Sequence, residues 1–157
     1  MNVFSAIAVL AIGGPVTVWA GSSGCLCTYG ESCWPSASTF SQLQSQVSQL
    51  LIYPLPSASA CYPLSHPSGN CTAVQANWLD GNWRASIPGS MEAPNFETFT
   101  FQNGTIDACY RNTSITGTCD QGSVPVIGVD ARSAEDIQAA VNFAVQHNLK
   151  LVVKNTG

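Results

Sequence analysis

The clearest alternation of hydrophobic and polar positions lies between residues 124 and 157. An apolar run at 124–129 is followed by apolar residues at helical spacing, which are Ile137, Ala140, Val141, Ala144 and Val145. This period is typical of an amphipathic helix. A second apolar run covers residues 151–153. Because a strand, a helix and a strand within about 30 residues match a βαβ unit, we expect a parallel strand pair with a right-handed crossover.

Polar residues mark both ends of the predicted helix and the end of the second strand. Ser133 and Asp136 are close to a capping box, in which each side chain binds the other residue's backbone N–H. Asn148 is suited to the left-handed conformation that ends many helices. Ligands bind at the carboxyl ends of strands in such sheets. The predicted site therefore consists of Lys154, Asn155, Thr156 and Gly157.

Weaker patterns cover the preceding region. Residues 36–53 predict an amphipathic helix ended by Pro54, and residues 72–83 a second helix stopped at 80–82. Residues 96–101 favour a short strand, and 107–123 a loop. We expect an α+β or α/β fold, with a helical, disulfide-containing arm over 21–120 and the first βαβ unit of an α/β domain over 121–157.

The first twenty residues resemble a secretory signal. The apolar stretch at 3–12 is followed by Val18-Trp19-Ala20, which offers small residues where a signal peptidase reads them. A short membrane anchor is the alternative, but Gly13, Gly14 and Pro15 interrupt the run, which is short for a span. A net charge of −4, with 9% charged residues, argues against nucleic acid and anionic membranes as partners. We expect a secreted, extracellular protein.

Cysteines and glycosylation sequons agree with that compartment. The seven cysteines are Cys25, Cys27, Cys33, Cys61, Cys71, Cys109 and Cys119. In an oxidising compartment most should form disulfides, and the odd number leaves one without an internal partner. The pairs Cys61–Cys71 and Cys109–Cys119 are favoured because each closes a short loop. Sequons at Asn70, Asn103 and Asn112 predict N-glycans and surface positions.

Other candidate chemistry finds less support. Cys25 and Cys27 could offer soft sulfur ligands to copper, although disulfides are the ordinary outcome. The residues around Cys33 partly match a cysteine-protease motif, which would make Cys33 a nucleophile with His147 as its base. The first cysteine of that motif is missing. The sequence contains no G-x-G-x-x-G after the first predicted strand, no G-x-S-x-G and no P-loop.

Several short motifs follow one another along the chain. They are Cys33-Trp34-Pro35-Ser36, Pro54-Leu55-Pro56 with Cys61-Tyr62, Trp83-Arg84, Pro88-Gly89-Ser90, and the segments 121–125, 133–137 and 151–157. In this order and spacing they resemble the N-terminal part of secreted, fungal-type FAD-linked oxidases. These oxidases form the berberine-bridge-enzyme-like group of the vanillyl-alcohol-oxidase superfamily.

The resemblance implies that residues 121–157 begin a PCMH-type FAD-binding domain. In that family, backbone amides of a glycine-containing loop hold the FAD pyrophosphate, so Asn155, Thr156 and Gly157, preceded by Lys154, are implied as cofactor residues. The histidine that is linked covalently to the flavin would follow Gly157 directly. None of the seven cysteines matches the flavin-linking cysteine of some members. No catalytic residue is therefore expected in this chain.

Three functional hypotheses follow. The first is an FAD-dependent oxidoreductase of a small-molecule alcohol, sugar or amine, present as an N-terminal fragment that lacks activity and binds FAD weakly or not at all. The second is a small secreted, disulfide-stapled binding or structural glycoprotein without enzyme activity. The third is a cysteine hydrolase, which requires Cys33 to be a free thiol.

Overall fold

The computed structural model describes residues 26–62 and 69–155. The helices and strands of these residues are α1 (Ala37–Gln44), α2 (Cys71–Asn77), α3 (Gly81–Ser86), β1 (Phe99–Thr100), β2 (Ile106–Asp107) and α4 (Ala134–Gln146), with 3₁₀ turns at Ser57–Cys61 and Pro94–Glu97. No helix among them is long and apolar enough to cross a membrane. The predicted signal at 1–20, Cys25, Thr156 and Gly157 lie outside the described residues.

Helix α4 forms where the sequence predicts it. The Ser133 side chain accepts the Asp136 backbone N–H at 3.2 Å, and the Asp136 carboxylate accepts the Ser133 N–H at 3.1 Å. This reciprocal pair completes a capping box. Beyond the helix, Asn148 adopts a φ of 53°. Both predicted helix ends are therefore confirmed.

The two apolar runs that flank α4 do not pair with each other in the described residues. Gly128 forms an antiparallel bridge with Ile52, with backbone N–H to O distances of 2.8 and 2.9 Å. Leu149 forms a parallel bridge with Cys27. The expected parallel hydrogen bonding between 124–129 and 151–153 is thus replaced by single bridges to the arm. Two parallel strands have little stability without neighbouring strands, and the arm supplies other backbone partners.

Helix α1 is shorter than predicted. It ends at Gln44, whereas the hydrophobic pattern continues to residue 53. The Gln44 side chain binds the Gln49 carbonyl at 3.0 Å and the Leu51 N–H at 2.6 Å. The N–H of Ser48 donates to Asp136, 88 residues away in sequence, at 2.7 Å. Side chains thus take the backbone groups that a longer helix would use.

The second predicted helix is divided into two. Helix α2 ends at Asn77, and Asp80 then caps α3 by accepting the Trp83 N–H at 2.9 Å. Asp80-Gly81 therefore begins a helix, and the prediction that it stops one was wrong. An aspartate followed by a good turn residue serves as an N-cap as well as a terminator.

The predicted strand at 96–101 shrinks to β1. It pairs antiparallel with β2 in a register that places Phe99 opposite Asp107. Gly104, with a φ of 84°, lies in the connecting turn. Strand β2 overlaps the start of the segment that was expected to be a loop.

Two hydrophobic clusters hold the chain together. The first contains Ala58, Cys61, Tyr62, Val74 and Cys109, with Trp78 and Trp83 packed against it. These two tryptophans are partly buried and line the core. The second joins α1 to α4, where the rings of Phe40 and Phe143 lie 5.2 Å apart. Disulfides link Cys27–Cys33, Cys61–Cys71 and Cys109–Cys119, so both predicted pairs are confirmed.

Candidate functional site

Two of the four predicted site residues lie in the described part of the chain. Lys154 is half-buried at the end of the second apolar run, and Asn155 is exposed beside it. Thr156 and Gly157 lie outside the described residues. The geometry of the site therefore rests on what surrounds Lys154.

The Lys154 ammonium is enclosed by backbone carbonyl groups. Nζ donates to the carbonyl oxygens of Ile87 at 2.6 Å, Ser90 at 2.8 Å and Arg84 at 3.1 Å. These carbonyls belong to the end of α3 and to the turn after it. The Arg84 and Ile87 carbonyls also accept the backbone N–H groups of Ile87 and Ser90, at 3.2 and 3.0 Å, which is possible because a carbonyl oxygen has two lone pairs. We call this set of oxygen atoms the carbonyl cradle. An ammonium has three N–H donors, and the cradle accepts all of them.

A glycine sets the position of the cradle. A Cβ on Gly89 would lie 1.8 Å from the Leu55 carbonyl oxygen. The Pro88-Gly89 turn can therefore approach the backbone at residue 55 only without a side chain at 89. The close approach fixes the turn that presents the carbonyls of Ile87 and Ser90.

A buried ion pair lies behind the cradle. The Arg84 guanidinium, 1% exposed, pairs with Glu97 through Nη2, and its Nε donates to the Met91 carbonyl at 2.7 Å. Glu97 also accepts the Ser57 hydroxyl at 2.9 Å and the Met91 N–H at 3.1 Å. Every charged group here has a partner, as burial of charge requires. The pair ties Ser57 of the arm to the helix that carries the cradle.

The surroundings of Lys154 have opposing effects on its pKa. Burial lowers the pKa of Lys154, the positive charge of Arg84 lowers that pKa further, and the Glu97 carboxylate raises it. Glu97 thus compensates two cations, because it pairs with Arg84 and also acts on Lys154.

Sequence reasoning singled out Lys154 but missed Arg84 and Glu97 as its neighbours. One signal was available. The chain has only five lysines and arginines, and a cation in so uncharged a sequence is a good candidate for a specific contact. The distance between residues 84 and 154 in sequence hid their proximity.

The cysteine hydrolase hypothesis is wrong. Cys33 forms a disulfide with Cys27, so it has no thiol to act as a nucleophile. The ligand atoms of Cys27, Glu31 and Cys33 lie within 4.8 Å of one another, but both sulfurs are committed to the disulfide and are not copper ligands. The His147 ring packs on Phe143, with 4.5 Å between ring centroids.

Of the two described residues that were predicted to bind FAD, Asn155 fits the prediction better than Lys154. Asn155 is exposed where the chain leaves the cradle, as a residue that contacts a ligand would be. The Lys154 ammonium already donates to three carbonyls and has no N–H left for a phosphate. Cofactor binding by residues 154–157 remains a prediction.

Comparisons with known proteins give relatives of one kind. No protein-family profile matches the chain. An uncharacterized FAD-linked oxidoreductase of Arthroderma benhamiae is 35% identical over 133 residues, which cover 85% of this chain and 22% of the relative. The FAD-linked oxidoreductase easE of Claviceps fusiformis is 35% identical over 144 residues, covering 88% and 24%.

A solved structure shares the fold. The crystal structure of the VAO-type flavoprotein MtVAO615 from Myceliophthora thermophila C1 superposes with a TM-score of 0.69 at 30% identity, over 85% of this chain and 24% of that one. The chain spans about a quarter of the length of the relatives it matches. Its mixed helical and small-sheet architecture with disulfides matches part of that flavoprotein fold.

Proposed function

Because the chain is related in sequence and fold to FAD-linked oxidoreductases of the vanillyl-alcohol-oxidase superfamily, we propose that it forms the beginning of the FAD site of such an enzyme. The observation that best supports this proposal is the structural similarity to a VAO-type flavoprotein, with a TM-score of 0.69 at 30% identity. The complete enzyme oxidises a small-molecule alcohol, sugar or amine. When bound, FAD supplies the redox chemistry, and the protein positions the cofactor and the substrate.

In that activity, this chain contributes to binding FAD. The backbone amides of Asn155, Thr156 and Gly157 approach the FAD pyrophosphate, since converging amides hold an anion without a charged side chain. The exposure of Asn155 supports this role. Electron transfer and substrate recognition are assigned to residues outside this chain.

We also propose that the protein belongs to the secreted, berberine-bridge-enzyme-like group. The predicted signal at 1–20 and three disulfides support secretion. Asn70, Asn103 and Asn112 are exposed. The Oδ1 atoms of Asn103 and Asn112 accept backbone N–H groups two residues further along the chain, at 2.9 and 3.1 Å. These bonds do not use Nδ2, which is the atom that carries an N-glycan.

A first experiment reads the transcript beyond the Gly157 codon. Codons for His-Asp and a glycine-rich continuation are expected. A stop codon there would contradict the proposal and favour a disulfide-stapled binding protein. That alternative, which the three disulfides support, expects cooperative thermal unfolding of the 157-residue chain without cofactor.

A second experiment tests flavin binding in a chimera. The aligned quarter of MtVAO615 is replaced by this chain, and the folded product is examined for flavin absorbance. Retained flavin is expected, whereas a folded chimera that lacks flavin would contradict the proposal.

A third experiment tests secretion and the three sequons. The chain is expressed in a secreting fungal host, and a gel shift on enzymatic removal of N-glycans is measured.

A further inference from the structure

We infer that Lys154 is a positioning residue, whose ammonium fills the carbonyl cradle and so fixes the start of the predicted loop, at Asn155, onto the N-terminal arm. This role is distinct from contact with the cofactor. It rests on the proposed function only for what the loop binds, because the clamp itself is a contact within this chain.

The cradle has the chemistry of a cation site. Three carbonyl oxygens converge on one nitrogen at 2.6 to 3.1 Å, and three donors of an ammonium match three acceptors. The neighbouring guanidinium cannot replace it. Arg84 already donates to the Trp78 and Met91 carbonyls and to Glu97.

Ser90 adds a buried hydroxyl beside the cradle. The residue is fully buried, and its Oγ has no hydrogen-bond partner among the described residues. The carbonyl of the same residue accepts from Lys154 at 2.8 Å. Without the ammonium, the Arg84 and Ile87 carbonyls would keep the backbone N–H groups of Ile87 and Ser90, at 3.2 and 3.0 Å. The buried Ser90 carbonyl would lose its bond to Lys154, and an unsatisfied buried acceptor costs more than the bond itself contributes.

The segment before the loop has few other attachments. Leu151, Val152 and Val153 are 47%, 46% and 82% exposed. In the described part of the chain, the hydrogen bonds that join residues 150–155 to the arm are those of the Lys154 ammonium. The position of Asn155 relative to the arm is therefore set at Lys154.

The test uses the 157-residue chain and the variant Lys154→Ala, with Lys150→Ala, an exposed lysine four residues earlier, as the matched control. Hydrogen exchange is measured by mass spectrometry in peptides that cover 84–90 and 150–155. Lys154→Ala should exchange about tenfold faster in both peptides, because charged hydrogen bonds that protect them are lost. Lys150→Ala should leave both unchanged.

Chemical rescue separates the clamp from a general effect on stability. n-Propylammonium has the atoms that Lys154→Ala removes beyond Cβ and should restore protection in both peptides. Tetramethylammonium, which has no N–H, should not. Unchanged exchange in Lys154→Ala, or equal rescue by both cations, would overturn the inference.

If Lys154→Ala does not fold, recovery of folding is compared in the two cations, and Lys154→Met, which keeps an apolar stem, is measured in the same way. Folding restored by n-propylammonium alone supports the clamp, and equal recovery in both overturns it. No step involves flavin. A failed clamp therefore leaves the FAD proposal standing, and a flavin-free chimera leaves the clamp standing.

Discussion

Asp136 joins distant parts of the chain at a single carboxylate. It is 2% exposed and accepts four hydrogen bonds, from the N–H groups of Arg132, Ser48 and Ser133 and from the Ser48 hydroxyl. These bonds, with the Arg132 N–H contributing most, lower the pKa of Asp136 from 3.8 to about 2, against the opposing effect of burial. The same residue caps α4 and shortens α1.

This pKa predicts an acid dependence of stability. A depressed carboxyl pKa stabilises the fold fully above pH 3.8, and the contribution is lost as the pH falls toward 2. Asp136→Asn should lower the thermal midpoint at neutral pH and flatten its dependence on pH in that window. Thermal unfolding at a series of acidic pH values checks this, with the exposed Glu135→Gln as control. An equally steep acid limb in Asp136→Asn would contradict the assignment.

The Arg84–Glu97 pair predicts a large loss of stability on removal of one partner. Glu97→Gln should lower the free energy of unfolding by about 3–5 kcal/mol, because Arg84 keeps a buried charge without its counterion. Urea unfolding measures the change. In the control Arg132→Gln, an ion pair with Asp130 that is 66% and 40% exposed is lost, and the expected cost is about 0–1 kcal/mol. Similar losses in the two variants would contradict the prediction.

At the scale of elements, locally determined features were predictable and distant ones were not. The caps and apolar period of α4 lie within 16 residues of sequence, from Ser133 to Asn148, and the helix forms as expected. The end of α1 depends on Asp136, 88 residues away, which no local pattern contains. Likewise, Lys154 was identified as a site residue by its place after a predicted strand, while its partners at 84, 87 and 90 come from tertiary packing.

The turn that builds the cradle gives a paired prediction for two glycines. Gly89→Ala should destabilise the protein and speed exchange at residues 84–90, because the new Cβ would overlap the Leu55 carbonyl oxygen at 1.8 Å. Gly81→Ala, at the start of α3 with nothing within 4 Å, should be neutral or stabilising by up to about 1 kcal/mol. Thermal unfolding compares them, and a tolerated Gly89→Ala would contradict the packing at this turn.

For the whole molecule, the main feature is the exposure of apolar side chains on α4 and in the segment after it. Of the predicted apolar stripe, Ala144 is buried, while Ile137 and Val145 are 56% and 76% exposed, and Val153 is 82% exposed. Exposed apolar patches of this kind mark surfaces that contact other protein. The chain spans about a quarter of the length of its relatives, and under the proposed function we expect other protein to cover these side chains.

That surface should make the 157-residue chain self-associate. The double variant Val145→Gln/Val153→Gln should shift the chain toward monomer in sedimentation velocity, since it removes two of the most exposed apolar side chains. Leu79→Gln is the matched control, because Leu79 is 82% exposed but lies on the arm. Equal effects of the two changes would contradict a localised contact surface.

The placement of the disulfides determines how the α4 segment stays attached to the N-terminal arm. The bridges span 6, 10 and 10 residues, and no cysteine follows Cys119 in the sequence. Within residues 1–157, one proteolytic cut at the exposed Arg132 would leave no covalent bond between the α4 segment and the arm. The two pieces would then be in reversible exchange, whatever the redox conditions. The smaller piece would leave at a rate set by opening of the Asp136 and Lys154 contacts, the Phe40–Phe143 ring contact and the Cys27–Leu149 bridge.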